Sequence, residues 1–289
     1  MSILPHHQTP TQSIVSTPEL SEQHFETIAR LVREVSGIQL REGKLGLVRS
    51  RLSKRLRENG IDNYSKYIDL VRSRAGEEEM EELICAMSTN VTGFNREPHH
   101  FEHFKLQVLP SIIKKLLSGA AVRIWSAGCS NGSEPHTAAC AVLDVLPDAS
   151  KHDFRILATD IDKYSLETGR SGHYSNDMVS KLAPETRKKW FVKTKTGFQL
   201  HDDPRSLVTF KTLNLLKPWP LKRAYDVIFC RNVLIYFSHE DQSKLFVKFA
   251  DHLSAGAHFY IGHSERVAGP ALGKLNSIGA TTYQRNSES

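Results

Sequence analysis

The chain has 289 residues, 39% of them hydrophobic and 24% charged, with a formal net charge of +6. No apolar run approaches the ~18 residues that a membrane span requires, so no membrane insertion is expected, and the length suits two modest soluble domains. The positive balance points to an acidic partner and leaves nucleic acid, a membrane surface and an acidic protein open.

Met1 to Thr17 mixes Pro, Gln, Ser, Thr and His without the basic-then-apolar order of a secretion signal. It reads as a disordered tail, taken here as residues 1–19, and the expected location is cytoplasmic. Cys85, Cys129, Cys140 and Cys230 are far apart and set among apolar or small residues, as reduced buried thiols are. Neither a disulfide frame nor a metal site is expected from them.

From Ser21, a plausible N-cap, Phe25, Ile28, Leu31, Val32 and Val35 recur at helical spacing until Gly37. A second helix carries Leu45, Val48, Leu52 and Leu56 within about 60° on a wheel of ~100° per residue. Beside that apolar stripe lie Lys44, Arg51 and Arg55, with Lys54 and Arg57 further round; a solvated helix face explains them as well as a binding surface does. Helical patterns over Tyr64–Arg74 and Glu78–Ser88 complete an all-α N-terminal domain, taken as residues 20–90. A linker over 91–105 leads onward.

Beyond Leu106 the pattern alternates strand with helix: Val122–Ser126, Phe154–Thr159, Ala224–Cys230 and His258–Gly262 read as buried strands. Such alternation predicts a mostly parallel α/β sheet over residues 106–289. Trp190–Val192, Gly197–Leu200 and Leu207–Phe210 are shorter pieces between polar turns. They predict a small antiparallel insertion at about 186–213.

The first of these strands runs into Ser126-Ala127-Gly128-Cys129-Ser130-Asn131-Gly132, with Glu134 following. Small residues before a helix let a ligand approach the backbone, although an ordinary strand-to-helix turn reads the same way. The next strand ends in Asp160, roughly thirty residues on, where a carboxylate can accept both hydroxyls of a ribose. Asp160 could instead cap a helix, a role that suits Asp162 better. Asn214 and the Arg231-Asn232 pair also stand at strand ends, where open α/β sheets bind ligands.

Five ordered segments resemble the chemotaxis receptor methyltransferases of the CheR type: Thr89–Phe101, Ile124–Pro135, Ala158–Asp162, Cys230–Phe237 and Gly262-His263-Ser264-Glu265. The likeness spans about Leu20 to Tyr283. It implies a Rossmann-like fold dependent on S-adenosylmethionine, releasing S-adenosylhomocysteine, with Asn90, Thr92, Arg96, Glu134, Asp160, Asn214, Leu215, Arg231 and Asn232 at the cofactor. It further implies that Arg96 and Tyr236 stand beside the transferred methyl; without it, an interdomain salt bridge for Arg96 and a core position for Tyr236 are the preferred readings. The substrate implied is a glutamate of the cytoplasmic signalling domain of a chemotaxis receptor, met by Lys44, Arg51 and Arg55.

The text departs from the family pattern at Asn95, where a second Phe is common, at Asn131 and Ser133, which replace Thr and Glu, and at His136, which replaces Tyr. The loop around Lys195–Asp203 is short beside those of members that dock a receptor's C-terminal pentapeptide, so the chain is expected to act without one, as a monomer. A catalytically weak module that binds S-adenosylmethionine or receptors is the alternative. A nucleic-acid methyltransferase is disfavoured, because the sequence lacks a basic patch interleaved with aromatic residues.

Overall fold

The computed structural model describes residues 18–287, so the expected tail lies, up to residue 17, outside the described residues. The chain divides into two compact units. One runs up to Ile28 and resumes over Arg41–Leu83; the other joins Ala29–Leu40 to everything from Ile84 onward.

The smaller unit is helical. Helix α1 (Glu22–Ser36) starts where expected, with the Ser21 hydroxyl accepting the His24 N–H at 3.2 Å. Helix α2 (Leu45–Glu58) buries Val48, Leu52 and Leu56. Asn63 caps α3 (Tyr64–Arg72) through the Lys66 N–H, and α4 (Glu77–Met87) opens with three glutamates that suit the positive end of its dipole.

Those glutamates correct one expectation. Arg55 does not belong to an open basic stripe: it hydrogen-bonds Glu79 through Nε at 2.9 Å and Glu58 through Nη1 at 2.6 Å, and lies 3.3 Å from Glu82. The buried Tyr67 hydroxyl donates to Glu79 at 2.6 Å. The hydrogen bond to Glu79 raises the Arg55 pKa, and Glu79, which burial alone would push up, is held below the usual carboxylate range by Arg55 and Tyr67. Lys44, just before α2, is exposed, and Arg51 within it is half-buried.

The second half of α1 and the turn after it belong to the larger unit. Asn214 donates to the Val35 carbonyl at 2.7 Å, and the Gln39 N–H to the Tyr236 carbonyl at 2.9 Å. The expected linker is structured as well. It carries α5 (Pro98–His103), which passes through a π-turn at Phe104–Val108 into α6 (Leu109–Leu117).

Next come β1 (Val122–Ala127), α7 (Ser133–Val145), β2 (Phe154–Asp160) and α8 (Lys163–Ser171). A small region follows with β3 (His173–Tyr174), α9 (Asn176–Val179), α10 (Pro184–Trp190), β4 (Phe191–Lys193), β5 (Phe198–Leu200) and α11 (Asp202–Ser206). The chain closes with β6 (Val208–Thr212), β7 (Tyr225–Cys230), α12 (His239–Asp251), β8 (Leu253–Ile261), β9 (Leu275–Gly279) and β10 (Thr282–Arg285).

Seven strands form one sheet in the order β6-β2-β1-β7-β8-β10-β9, parallel from β6 to β8 and antiparallel thereafter. Both faces are apolar: Val227 and Phe229 face one core, while Ile228 and Cys230 face another built around Trp125, Trp219 and Phe249. Two-sided burial is why these strands read as continuous hydrophobic runs. The chain moves outward from β1 to β2 and β6, then crosses back to β7, so the strand order reverses beside β1. Such a reversal opens a crevice at the carboxyl ends of the strands.

The antiparallel insertion exists but is composed differently from the expectation. Its strands are β3, β5 and β4, with Tyr174 opposite Phe198 and Phe191 opposite Leu200. The piece beginning at Leu207 pairs instead with β2 in the main sheet, Val208 opposite Ile156, because Phe210 packs on Cys129, Ala158 and Leu166.

Replacing Arg55 by Ala leaves the largely buried Glu79 with only neutral partners. We expect a loss of about 1–3 kcal/mol in urea unfolding of the full chain, below the ~3–5 typical of fully buried pairs because the guanidinium retains some solvent.

Candidate functional site

The crevice beside β1 is a real cavity, enclosing about 950 Å³ including its open mouth. The loop after β1 contributes Gly128 to Ser130, β2 ends in it at Asp160, Leu213 to Leu215 follow β6, and Arg231 to Val233 follow β7. All nine residues expected at the cofactor, Arg96 among them, line it, as does Tyr236. Gly128 has φ +71 and a Cβ there would strike Val233, so the turn accepts only glycine without distortion.

Asp160 is 8% exposed and accepts the Ser130 N–H at 2.7 Å and the Asp162 N–H at 3.0 Å, one on each oxygen. Burial raises its pKa, against the pull of these N–H groups. Each oxygen keeps a second lone pair for a ligand hydroxyl. Asp162, not Asp160, caps the next helix, accepting the Tyr164 N–H at 2.9 Å, and it also holds Asn90 and Ser165.

Arg231 is placed differently. Its guanidinium is 2% exposed, 3.0 Å from Glu134 and 3.4 Å from Glu97, and it donates to the Arg96 carbonyl. Its two terminal nitrogens therefore brace the cavity wall, while its Nε has no partner among the described residues. Glu134 is held on its other oxygen by Ser126 at 2.7 Å. The Asn214 side chain also makes internal bonds, donating to the Val35 carbonyl and accepting the Leu216 N–H.

Glu97, which no local pattern singles out, ties Arg231 to Asn232 at 3.1 Å and His263 at 2.8 Å. Burial would raise its pKa, but the His263 hydrogen bond and the Arg231 charge hold it at about 2. His100 faces the same carboxylate at 3.4 Å without forming an ion pair, because burial pushes its pKa down to about 3. Glu97, His99 and His100 bring possible ligand atoms within 4.8 Å of one another. The neighbouring Arg231 already supplies the cation there.

Arg96 and Tyr236 are different in kind. Nη1 of Arg96 donates to the Val91 carbonyl at 2.7 Å, while its Nε and Nη2 have no partner among the described residues. Arg96 makes no ion pair among them, which removes the salt-bridge alternative. The Tyr236 hydroxyl also has no partner among them, and the residue is only half-buried, which removes the core alternative. Ser36 and Ile38, on the segment after α1, line the cavity too. They sit far from the motifs in sequence, so no local pattern could reveal them.

The departures from the family text are accommodated locally. Asn95 has φ +52, a conformation that Asn adopts more readily than Phe. Ser133 bonds Thr92 at 3.3 Å, and the Asn131 side chain accepts the Ser133 N–H at 3.2 Å. His136 is fully buried against the Tyr174 hydroxyl at 2.7 Å, and burial lowers its pKa to about 3.

Residues 23–88 match the all-α domain model of CheR methyltransferases, and residues 90–283 match that family's S-adenosylmethionine-binding domain. A probable chemotaxis protein methyltransferase of Rhizobium etli is 45% identical over 86% of this chain and 94% of its own length. Chemotaxis protein methyltransferases of Borreliella burgdorferi and Escherichia coli are each 34% identical, over 92% and 85% of this chain and 95% and 85% of theirs.

Because the Glu97 pKa is depressed from 4.5 to about 2, its stabilising contribution is complete above the ordinary value and is lost as pH falls through that interval. In acid denaturation, the Glu97→Gln chain should be less stable than wild type at neutral pH. The difference should shrink below pH 4.5 as wild type loses the charge.

Proposed function

The chain belongs to the CheR methyltransferase family, and from that premise we propose that it methylates glutamate side chains of chemotaxis receptors, forming glutamyl methyl esters. S-adenosylmethionine is the methyl donor, consistent with the matched domain and with a cavity ending in a buried acid suited to a ribose.

The observation that carries the glutamate reading is the pair of unpartnered donors, the Arg96 fork and the Tyr236 hydroxyl, lining the same cavity as Asp160. A planar guanidinium presenting two N–H groups matches a carboxylate. When bound, S-adenosylmethionine supplies an electrophilic methyl on a sulfonium, whose sulfur departs as a neutral thioether as the methyl carbon bonds the carboxylate oxygen. Glutamate needs no general base here, since its ordinary pKa of ~4.3 leaves it ionised at neutral pH. The tasks left to the chain are orienting that carboxylate in line with the donor and stripping part of its water.

Receptor recognition falls to Lys44 and Arg51 of α2 in this reading, without Arg55. The turn between β4 and β5 is only Thr194–Gly197, closed by the Thr194 N–H on the Gly197 carbonyl at 2.9 Å, which favours independence from a tethering pentapeptide. We take the chain to act as a cytoplasmic monomer; equilibrium sedimentation as a dimer at micromolar concentration would contradict the second part.

Labelled methyl transfer to a purified receptor signalling domain, scored as methanol released by mild base, tests the reaction. Counts should appear with wild type and disappear with Asp160→Ala; base-stable counts would refute ester formation, and none across several receptors would favour a binding module. In the same assay, Lys44→Glu with Arg51→Glu should lower the rate at least about fivefold, and removing the receptor's last five residues should not. The opposite pattern would overturn the recognition scheme.

A further inference from the structure

The Gly262-His263-Ser264-Glu265 segment is left without a role by the reaction just described, although it ends in a buried carboxylate that makes no ion pair among the described residues. Glu265 is 7% exposed. One of its oxygens accepts the N–H groups of Val233, Leu234 and Ile235 at 2.9, 2.7 and 3.3 Å; the other accepts those of Asn232 at 3.1 Å and Gly262 at 2.5 Å. Burial raises its pKa against the pull of these donors.

Four successive N–H groups, from Asn232 to Ile235, thus converge on one carboxylate. A chain segment can do this only when its backbone curls around the anion, and Asn232 accordingly takes φ +59. Gly262 permits the approach, since a Cβ there would overlap both the backbone nitrogen and the amide of Asn232. Glu97 then takes the Asn232 side chain at 3.1 Å, so one acid orients the backbone of this residue and another its amide. The clamped stretch leads directly to Tyr236, and Asn232, Val233 and Tyr236 all line the cavity.

We propose that Glu265 is a positioning residue for the methyl donor, holding the loop after β7 in the backbone path that completes the donor's side of the cavity. The proposal rests on the reading of that cavity as the S-adenosylmethionine site. Glu265 does not line the cavity, so it acts through Asn232 and Val233, whose N–H groups it holds, and not by contact.

The test is Glu265→Gln in the full-length chain, which preserves shape, removes the charge and turns an NH2 group toward the backbone donors. S-adenosylhomocysteine affinity, measured by calorimetry, should weaken about tenfold or more, and KM for S-adenosylmethionine should rise with it while KM for the receptor stays within about twofold. A merely structural role predicts a lower melting temperature and fewer active molecules with both KM values unchanged, and that result would overturn the proposal. If the Gln variant is insoluble, Glu265→Asp, which keeps the charge but shortens its reach, supplies the same comparison. Failure of wild type to bind S-adenosylhomocysteine would instead refute the reading of the cavity, and the proposal with it.

Discussion

The guanidinium of Arg231 is where the separate pieces of the site meet. It is buried at the end of β7, bridges Glu134 at the start of α7 to Glu97 before α5, and lies 5.4 Å from the Phe101 ring. Burying a charge this deeply costs several kcal/mol unless partners surround it, which is why two carboxylates and a carbonyl are gathered there. The same requirement joins three chain segments that are remote in sequence. Glu97 and Asn232 both occupy left-handed backbone conformations, φ +53 and φ +59. For a residue such as Glu that conformation costs about 1–2 kcal/mol, which the network offsets.

Around that junction the sheet provides the shape and the buried acids provide the order. The reversal of strand order beside β1 creates the crevice; Asp160, Glu134, Glu97 and Glu265 each accept from backbone or side-chain donors of the segments around it. Most polar groups near the cavity are consumed in this way. Arg96 and Tyr236 keep donors without a partner among the described residues, which suits the proposed placement of reactants without proton transfer.

The sequence displayed the parallel strands because burial on two faces leaves a continuous apolar signature, and it displayed the cavity residues because they cluster at strand ends within short segments. It concealed what depends on distant partners. Arg55 looked like a solvated cation because nothing in α2 announces the glutamates of α4. Val208–Thr212 looked like part of the insertion because neighbours in sequence do not reveal that Ile156 is its partner in the sheet. Ser36 and Ile38 reach the cavity on a segment whose helix reads as part of the all-α domain. β9 was missed because an edge strand such as Leu275–Gly279, with only its first residue buried, carries no alternation.

A crystal structure of the chain with S-adenosylhomocysteine tests the central claim most directly. The account predicts the ribose hydroxyls on the two oxygens of Asp160, the sulfur turned toward Arg96 and Tyr236, and the Arg231 and Glu265 networks unchanged from the free chain. A nucleoside bound away from Asp160, or a loop after β7 that rebuilds itself around the ligand, would contradict a cavity organised in advance by its buried charges.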